Sequence, residues 1–264
     1  MYPLIKIGNF VMPTFGLLLT FAILLSLVLS VSGTKRYNYG SAPTWKVLGL
    51  ATLSGMVMCR LGDLLLHPSL YFHSPELLFS NGGTFLFGFL AGIFVMVFLS
   101  IRYKMSIWVL GDCCAPYLAL GIAVGRVGCF AAGCDYGKPS ALPWSVTFTN
   151  PVASSLSGVP LNVPLHPSQL YESIYEFLVF FLLVFSSRKQ FSTGNLIWTF
   201  VLLYSMGRFL IEFTRGDLDR GFWGPLSTSQ WLCGLLIGVL LILNRVRSTC
   251  DTGQELGKPQ ANCA

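Results

Sequence analysis

Long apolar segments recur along the whole chain and are separated by short polar connections. Seven of them are candidates for helices that cross a membrane: Val11–Val31, Val47–Leu66, Thr84–Ile101, Trp108–Phe130, Leu170–Ser186, Asn195–Phe213 and Gln230–Leu243. A helix of about 20 mainly apolar residues crosses a hydrocarbon core of about 30 Å. The pattern therefore predicts an all-α polytopic membrane protein with about seven transmembrane helices.

The charge content also indicates lipid rather than water as the main solvent. Only 11% of the 264 residues are charged and 53% are hydrophobic, whereas soluble domains carry about 25% charged residues. The formal net charge is +6, but the basic residues are dispersed between the apolar segments and form no stripe. We therefore expect the lipid bilayer, and not nucleic acid, as a partner.

Basic residues fall mainly on alternate connections. The connections after the first, third, fifth and seventh segments hold Lys35, Arg36, Lys46, Arg102, Lys104, Arg188, Lys189, Arg245, Arg247 and Lys258. The other connections hold only Lys138, Arg215 and Arg220, with Lys6 near the start. Cytoplasmic loops carry the excess of Lys and Arg, so we predict an N-terminus outside and a C-terminus in the cytoplasm.

The same pattern predicts one membrane domain over residues 1–247. Its first apolar segment is longer than the core of a signal peptide, which favours a retained helix. Residues 135–167 contain several prolines and few charges, and we predict an external loop or partly embedded cap there. Residues 248–264 are polar, and we predict a disordered cytoplasmic tail.

Small residues spaced four apart predict close contacts between helices. Three such pairs are present: Gly88 and Gly92, Gly121 and Gly125, Gly234 and Gly238. Small residues at this spacing let transmembrane helices approach each other closely.

Eight cysteines are present, and Cys129 and Cys134 lie close together in sequence. Buried cysteines usually act as small packing residues, and a disulfide between these two is the alternative at an oxidising face of the membrane. The cysteine and histidine spacing does not match a zinc site. We predict no metal and no cofactor.

Charged residues within apolar segments are costly and are therefore candidates for function. Arg60 and Asp63 lie three apart on one helical face, where they either neutralise each other or bind a ligand. Asp112 begins the fourth segment, where an acid is expected to cap the helix or interact with its dipole.

Arg126 lies near the external end of the fourth segment, between Gly125 and Gly128. The glycines leave the backbone open to a ligand or another helix. The segment places no acid within one turn of Arg126, so its partner is expected from elsewhere in the fold or from a substrate.

The sixth segment carries Tyr204, Arg208 and Glu212 at intervals of four, which puts them on one helical face, and Arg215 follows. Arginine binds phosphate through paired hydrogen bonds. Convergence of these residues with Arg126 would create a site for an anionic phospholipid.

The fifth segment opens with His-Pro-Ser-Gln-Leu-Tyr-Glu over residues 166–172. Pro167 suits the first turn of a helix. Glu172 and Glu176 lie four apart on one face, where one is expected to pair with an arginine of another helix. His166 is either a hydrogen-bonded structural residue or a functional group.

Three blocks together resemble the prolipoprotein diacylglyceryl transferase family: Gly-Arg-Val-Gly at 125–128, the block at 166–172, and Gly207-Arg208-Phe209 with Glu212, Phe213 and Arg215. The resemblance covers nearly the whole chain. It implies transfer of a diacylglyceryl group from phosphatidylglycerol to the lipobox cysteine of a prolipoprotein signal peptide, with release of glycerol phosphate. It also implies a bacterial inner membrane and an active site towards the periplasm.

The resemblance assigns roles to individual residues of this chain. Arg126 and Arg208 match the family's two important arginines, which suit a phosphate whose charge grows during the reaction. Glu212 and Tyr204 match residues of the family's polar cavity, and Gly137 matches a signature glycine. Catalytic roles are thus expected for Arg126, Arg208, Glu212 and His166, and substrate binding for Arg126, Arg208, Tyr204, Gly137, Arg215 and Glu172.

The chain also departs from the family pattern. Cys129, Ala132 and Cys134 replace two asparagines and a glutamate, Phe87 stands where His or Tyr is usual, and Phe15 replaces a tyrosine. A phenyl ring cannot carry a proton, so either His166, Glu172 or water acts as the base, or the chain is a paralogue with altered activity. The alternatives are a related membrane transferase with another acceptor, or a non-catalytic phospholipid-binding or transport protein.

Overall fold

The computed structural model describes residues 2–8, 10–73, 83–188, 193–217 and 220–255. The helices in this part of the chain are α1 Thr14–Thr34, α2 Ser41–Leu66, α3 Pro68–His73, α4 Phe85–Arg102, α5 Ile107–Ala132, α6 Pro151–Ser157, α7 Ser168–Ser186, α8 Asn195–Ile211 and α9 Thr228–Glu255. Short 3-10 turns cover Lys35–Tyr37 and Glu212–Thr214. Three antiparallel hairpins pair β1 Leu4–Ile7 with β2 Phe10–Pro13, β3 Val146–Thr147 with β4 Pro164–Leu165, and β5 Phe222–Trp223 with β6 Leu226–Ser227.

Each predicted apolar segment coincides with a helix. Five helical stretches in the described residues have the length and hydropathy to cross a membrane, and the apolar stretches Leu86–Arg102 and Thr228–Ile242 are shorter. The chain is therefore a polytopic membrane protein, as predicted. The first segment begins later than predicted, because Val11 to Pro13 belong to strand β2.

Helices α1 and α5 pack antiparallel along a seam of small residues. The Ser26 hydroxyl donates to the Tyr117 carbonyl at 2.7 Å. A Cβ on Gly121 would lie 2.5 Å from the Ser26 oxygen, and one on Gly128 would lie 3.3 Å from Leu18. Gly121 and Gly128 thus accommodate the neighbouring helix α1.

Helices α2 and α4 form a second antiparallel pair. A Cβ on Gly88 would lie 2.7 Å from the Gly55 carbonyl, and one on Gly92 would lie 3.3 Å from the Ala51 carbonyl. Close packing at Gly88 and Gly92 is therefore confirmed. The same prediction for Gly234 and Gly238 is wrong for the described residues, because an added Cβ there meets no atom within 4 Å.

Helices α7 and α8 pack against α5 around a buried apolar cluster formed by Ala115, Ala119, Val179, Leu183, Leu196 and Phe200. The Tyr175 hydroxyl of α7 donates to the Leu203 carbonyl of α8 at 2.7 Å. The amide of Gln230 in α9 donates to the Phe209 carbonyl at 3.3 Å. These contacts hold α8 between α7 and α9.

Asp112 caps a different helix from the one predicted. It lies inside α5 and is buried, and its carboxylate accepts from the backbone N–H of Gly194 at 2.6 Å and of Ile197 at 2.9 Å. These N–H groups belong to the start of α8, which has no helical acceptors for them. Asp112 therefore does interact with a helix N-terminus, as expected, but with that of α8 and not that of its own helix α5.

The segment 135–167, called the cap below, is folded. Phe148, Ala153, Val159 and Leu165 form its own buried cluster. Within it, the side chain of Asn150 stabilises the N-terminus of α6 by accepting a hydrogen bond from the Val152 N–H at 3.0 Å. The cap follows Gly133, whose left-handed conformation (φ 86°) ends α5.

The last helix continues to Glu255. It covers residues 248–255 of the segment for which a disordered tail is predicted, because the helix runs on beyond the apolar stretch. Residues 256–264 lie outside the described part of the chain, as does Lys189.

Candidate active site

Arg126 projects from the last two turns of α5 and binds two acids from other parts of the fold. Its Nη1 lies 2.5 Å from Oδ2 of Asp135 at the start of the cap, and its Nη2 lies 2.9 Å from Oε1 of Glu172 in α7. Neither acid lies within one turn of Arg126, so both partners come from elsewhere in the fold, as expected.

Glu172 joins the two arginines that the sequence singled out. Its Oε2 accepts a hydrogen bond from Arg208 of α8 at 3.1 Å, while its Oε1 faces Arg126. The side chain is only 4% exposed. Oε1 forms an ion pair with Arg126 but accepts no hydrogen bond in the described part of the chain.

Glu212 continues the network at the end of α8. Its Oε2 lies 3.0 Å from Nη2 of Arg208 and 3.9 Å from Nε of Arg215, and its Oε1 accepts from Arg220 at 3.2 Å. Arg208 and Glu212 thus pair across one helical turn. The side chain of Glu212 is 1% exposed.

Asp135 closes the network into a ring. Its Oδ1 accepts from Nη2 of Arg215 at 2.5 Å, while its Oδ2 binds Arg126. Positive and negative groups then alternate around what we call the charge ring: Arg126, Glu172, Arg208, Glu212, Arg215 and Asp135. Arg215 also binds Asp217 at 2.6 Å, which lies outside the ring.

Backbone contacts hold Asp135 at this place. The Ser168 hydroxyl donates to the Asp135 carbonyl at 2.9 Å, and the Gln169 amide donates to the Cys134 carbonyl at 2.7 Å. Gly137 pairs with Arg215 in an antiparallel bridge. The start of α7 and the segment after α8 therefore fix the first residues of the cap.

The surroundings favour the charged forms of the two ring members that lie outside the helices. Burial opposes ionisation of Asp135, but Arg126, Arg215 and Arg208 outweigh it and hold its pKa below the usual value. Burial likewise opposes the charge of Arg215, but Asp217, Asp135 and Glu212 raise its pKa.

His166 lies beside the charge ring but makes no hydrogen bond or ion pair with it among the described residues. Its Nδ1 lies 3.3 Å from the Tyr171 hydroxyl, which accepts from Trp144 at 2.7 Å. A Cβ on Gly137 would collide with the His166 carbonyl. Gly137 is thus needed because the backbone of His166, at the other end of the cap, passes too close to it for a side chain to fit.

Tyr204 lies one turn before Arg208, on the side of α8 that faces the ring. It interacts electrostatically with Glu172, Arg208 and Arg126, and its ring packs against Phe200. Glu176, one turn beyond Glu172, is 1% exposed, and its Oε2 has no hydrogen-bond partner in the described part of the chain.

Cys129 and Cys134 are free thiols. Together with Asp135 they present ligand atoms within 4.8 Å of one another, a cluster that could hold a metal ion. Both oxygens of Asp135 already bind guanidinium groups, so a cation there would meet two positive charges. We assign no metal to this cluster.

Arg60 and Asp63 do not neutralise each other, so that interpretation is wrong. Asp63 accepts a hydrogen bond from Tyr71 and lies 3.3 Å from His67. Nη1 of Arg60 has no partner among the described residues. His67 directly follows α2 and Tyr71 lies in α3, and these two residues replace the arginine as partners of the acid.

Three charged residues of the network were not predicted from the sequence: Asp135, Asp217 and Arg220. Each lies in a connection, where no helical period marks the side that it faces. A signal was available for Asp135, which is the only acid between Asp112 and Glu172.

A known protein family matches nearly the whole chain, including the three motifs named above. Residues 3–244 match the family model described as prolipoprotein diacylglyceryl transferase. The match spans the helices and cap that carry the charge ring.

Curated relatives are similar over most of their length. A phosphatidylglycerol–prolipoprotein diacylglyceryl transferase of Clostridium tetani is 34% identical over 86% of this chain and 90% of the relative. One from Nitratidesulfovibrio vulgaris is 38% identical over 76% of this chain and 74% of the relative. Phosphatidylglycerol–prolipoprotein diacylglyceryl transferase 2 of Clostridium perfringens is 28% identical over 92% of this chain and 94% of the relative.

Proposed function

Because this chain belongs to the prolipoprotein diacylglyceryl transferase family, we propose that it transfers the diacylglyceryl group of phosphatidylglycerol to the lipobox cysteine of a prolipoprotein. In this reaction the thiol loses its proton and its sulfur bonds to the terminal glyceryl carbon. The bond from that carbon to the phosphate oxygen breaks, and glycerol phosphate leaves with the electron pair. The site faces the periplasmic side of a bacterial inner membrane.

The observation that carries this proposal is that Arg126 of α5 and Arg208 of α8 both bind Glu172 of α7. Guanidinium groups from different helices thus converge beneath the cap. The leaving phosphate gains negative charge as the bond breaks, and fixed positive groups at that place lower the barrier. Glu212 holds Arg208 in position through an ion pair at 3.0 Å, and we assign Arg215, Tyr204 and Gly137 to substrate binding.

The proton of the thiol requires an acceptor. Both oxygens of Glu172 already face guanidinium groups, whereas the Nε2 of His166 has no partner among the described residues. His166 therefore suits the base, with Tyr171 orienting its ring. Phe87 packs against Gly62 and carries no proton.

The test is transfer in detergent with phosphatidylglycerol and a synthetic lipobox peptide. Wild-type protein should increase the peptide mass by one diacylglyceryl group. Arg126→Ala and Arg208→Ala should each lower the rate by about 100-fold or more. Arg102→Ala, which removes an exposed arginine at the end of α4, is the matched control and should retain the rate.

Failure of wild-type protein to modify the peptide, under conditions where the Clostridium tetani relative does so, would contradict the proposal. If a small molecule in a membrane extract gains the diacylglyceryl group instead, the chain is a transferase with another acceptor. Lipid flux without any chemical change would identify a transport protein.

A further inference from the structure

One carboxylate of the charge ring differs from the others in its position. Asp135 lies on the cap, outside the transmembrane helices, and its side chain is 31% exposed. Glu172 and Glu212 lie within or at the end of helices and are 4% and 1% exposed. Asp135 is therefore the ring's most accessible acid.

The contacts of Asp135 match those that an anionic oxygen pair would make. Each of its two oxygens accepts one hydrogen bond at 2.5 Å, one from Arg126 and the other from Arg215. Two oxygens of a phosphodiester or phosphate monoester present the same acceptors to the same two donors. The nearest guanidinium groups for an incoming anion are thus already occupied by an internal acid.

Displacement of Asp135 is easier than displacement of the other two acids. Moving Glu172 or Glu212 would require a buried carboxylate to leave its partners without water. Asp135 lies at the boundary of the cap, so water can solvate its carboxylate once it has left the two arginines. Its backbone is in the left-handed region (φ 56°), which aspartate and asparagine adopt more readily than most residues.

We infer that Asp135 occupies the phosphate position of the empty site and that the headgroup phosphate of the lipid replaces it between Arg126 and Arg215. This inference rests on the proposed function and adds a residue that sets the affinity for the anion. Asp135 returns as glycerol phosphate leaves, so the acid favours product release as well as weakening ground-state binding.

The substitution Asp135→Asn tests this directly, because asparagine has the same shape and tolerates the same backbone conformation. Isothermal titration calorimetry with glycerol phosphate on the full-length protein in detergent measures the dissociation constant. We expect about tenfold tighter binding in Asp135→Asn, since the competing charge is gone and one strong hydrogen bond per guanidinium becomes available. In the transfer assay, glycerol phosphate should inhibit this variant at correspondingly lower concentration.

Asp217→Asn is the matched control. Asp217 binds Arg215 at 2.6 Å but does not bind Arg126, so its removal empties no position between the two arginines. We expect its affinity for glycerol phosphate to stay within about twofold of wild type. Asp135→Glu keeps the charge and should also bind no tighter than wild type.

Unchanged or weaker binding by Asp135→Asn, with a thermal unfolding midpoint near that of wild type, would overturn the inference. Equal tightening by Asp217→Asn would also overturn it, because the effect would then reflect net charge alone. The binding measurement requires no turnover. Absence of transfer by wild type therefore contradicts the proposed function, whereas absence of tightening contradicts only the role of Asp135.

Discussion

Replacement of Glu172 by glutamine tests whether the charge ring holds three helices together. The side chain of Glu172 is 4% exposed and connects α5 to α8 through Arg126 at 2.9 Å and Arg208 at 3.1 Å. The amide of glutamine keeps the size of the side chain and removes its charge. Both guanidinium groups then lose one of their two ring partners.

The cost follows from the charges that remain. Removing one member of a buried ion pair costs about 3–5 kcal/mol, because the partner stays buried without compensation. Arg126 keeps Asp135 and Arg208 keeps Glu212, so the lower end of that range applies. We expect Glu172→Gln to lower the free energy of unfolding by about 3 kcal/mol.

The assay is unfolding by sodium dodecyl sulfate in mixed micelles, followed by tryptophan fluorescence. Glu176→Gln provides a matched control, since Glu176 lies one turn along the same helix, is 1% exposed and has an unpartnered Oε2. Its replacement should change the free energy of unfolding by less than about 1 kcal/mol. Equal losses in the two variants would show that burial of a carboxyl group, and not the bridge between arginines, determines stability here.

Three further predictions concern Gly137, Asp112 and Asp135. Gly137→Ala places a Cβ against the His166 carbonyl and should lower the thermal unfolding midpoint and the transfer rate together, whereas a loss of rate at unchanged stability would contradict the steric reason. Asp112→Ala leaves two N–H groups of α8 without acceptors and should cost about 1–2 kcal/mol in the micelle assay, and a change near zero would refute the capping role. Because the arginines outweigh burial and hold the pKa of Asp135 below its usual value, its stabilising contribution is fully present above about pH 4 and is lost as the pH falls from there through the lowered value. Asp135→Asn should therefore lose less stability than wild type as the pH falls below about 4, and parallel losses would contradict that sign.

The transmembrane helices were predictable because their signal is local. A run of apolar residues specifies a helix in lipid, since every backbone polar group must find its partner within the segment. The prediction failed at Val11 to Pro13, where the run is apolar but pairs as strand β2. Hydropathy does not distinguish a short strand from the first turn of a helix, and Pro13 disfavours helix in the residue before it.

The arginines of the site were predictable for a related reason, since a charge in lipid must face a partner. Their partners were not, because Asp135 reaches Arg215 across 80 positions of sequence through the fold of the cap. The wrong pairing of Arg60 with Asp63 has the same origin. Helical spacing shows which residues share a face, but Tyr71 contacts Asp63 from the separate helix α3.

The balance of charge in the network explains why the lipid phosphate has to displace one acid, Asp135, in order to bind. Among the described residues, Arg126, Arg208, Arg215 and Arg220 face Asp135, Glu172, Glu212 and Asp217, so positive and negative groups are equal in number. A neutral network is stable beneath a membrane surface, but it offers an anion no net attraction. A lipid phosphate that entered with all four acids in place would add an uncompensated negative charge. Displacement of Asp135 into water exposes an arginine pair only while the anion is bound, which reconciles a stable empty protein with binding of an anionic substrate.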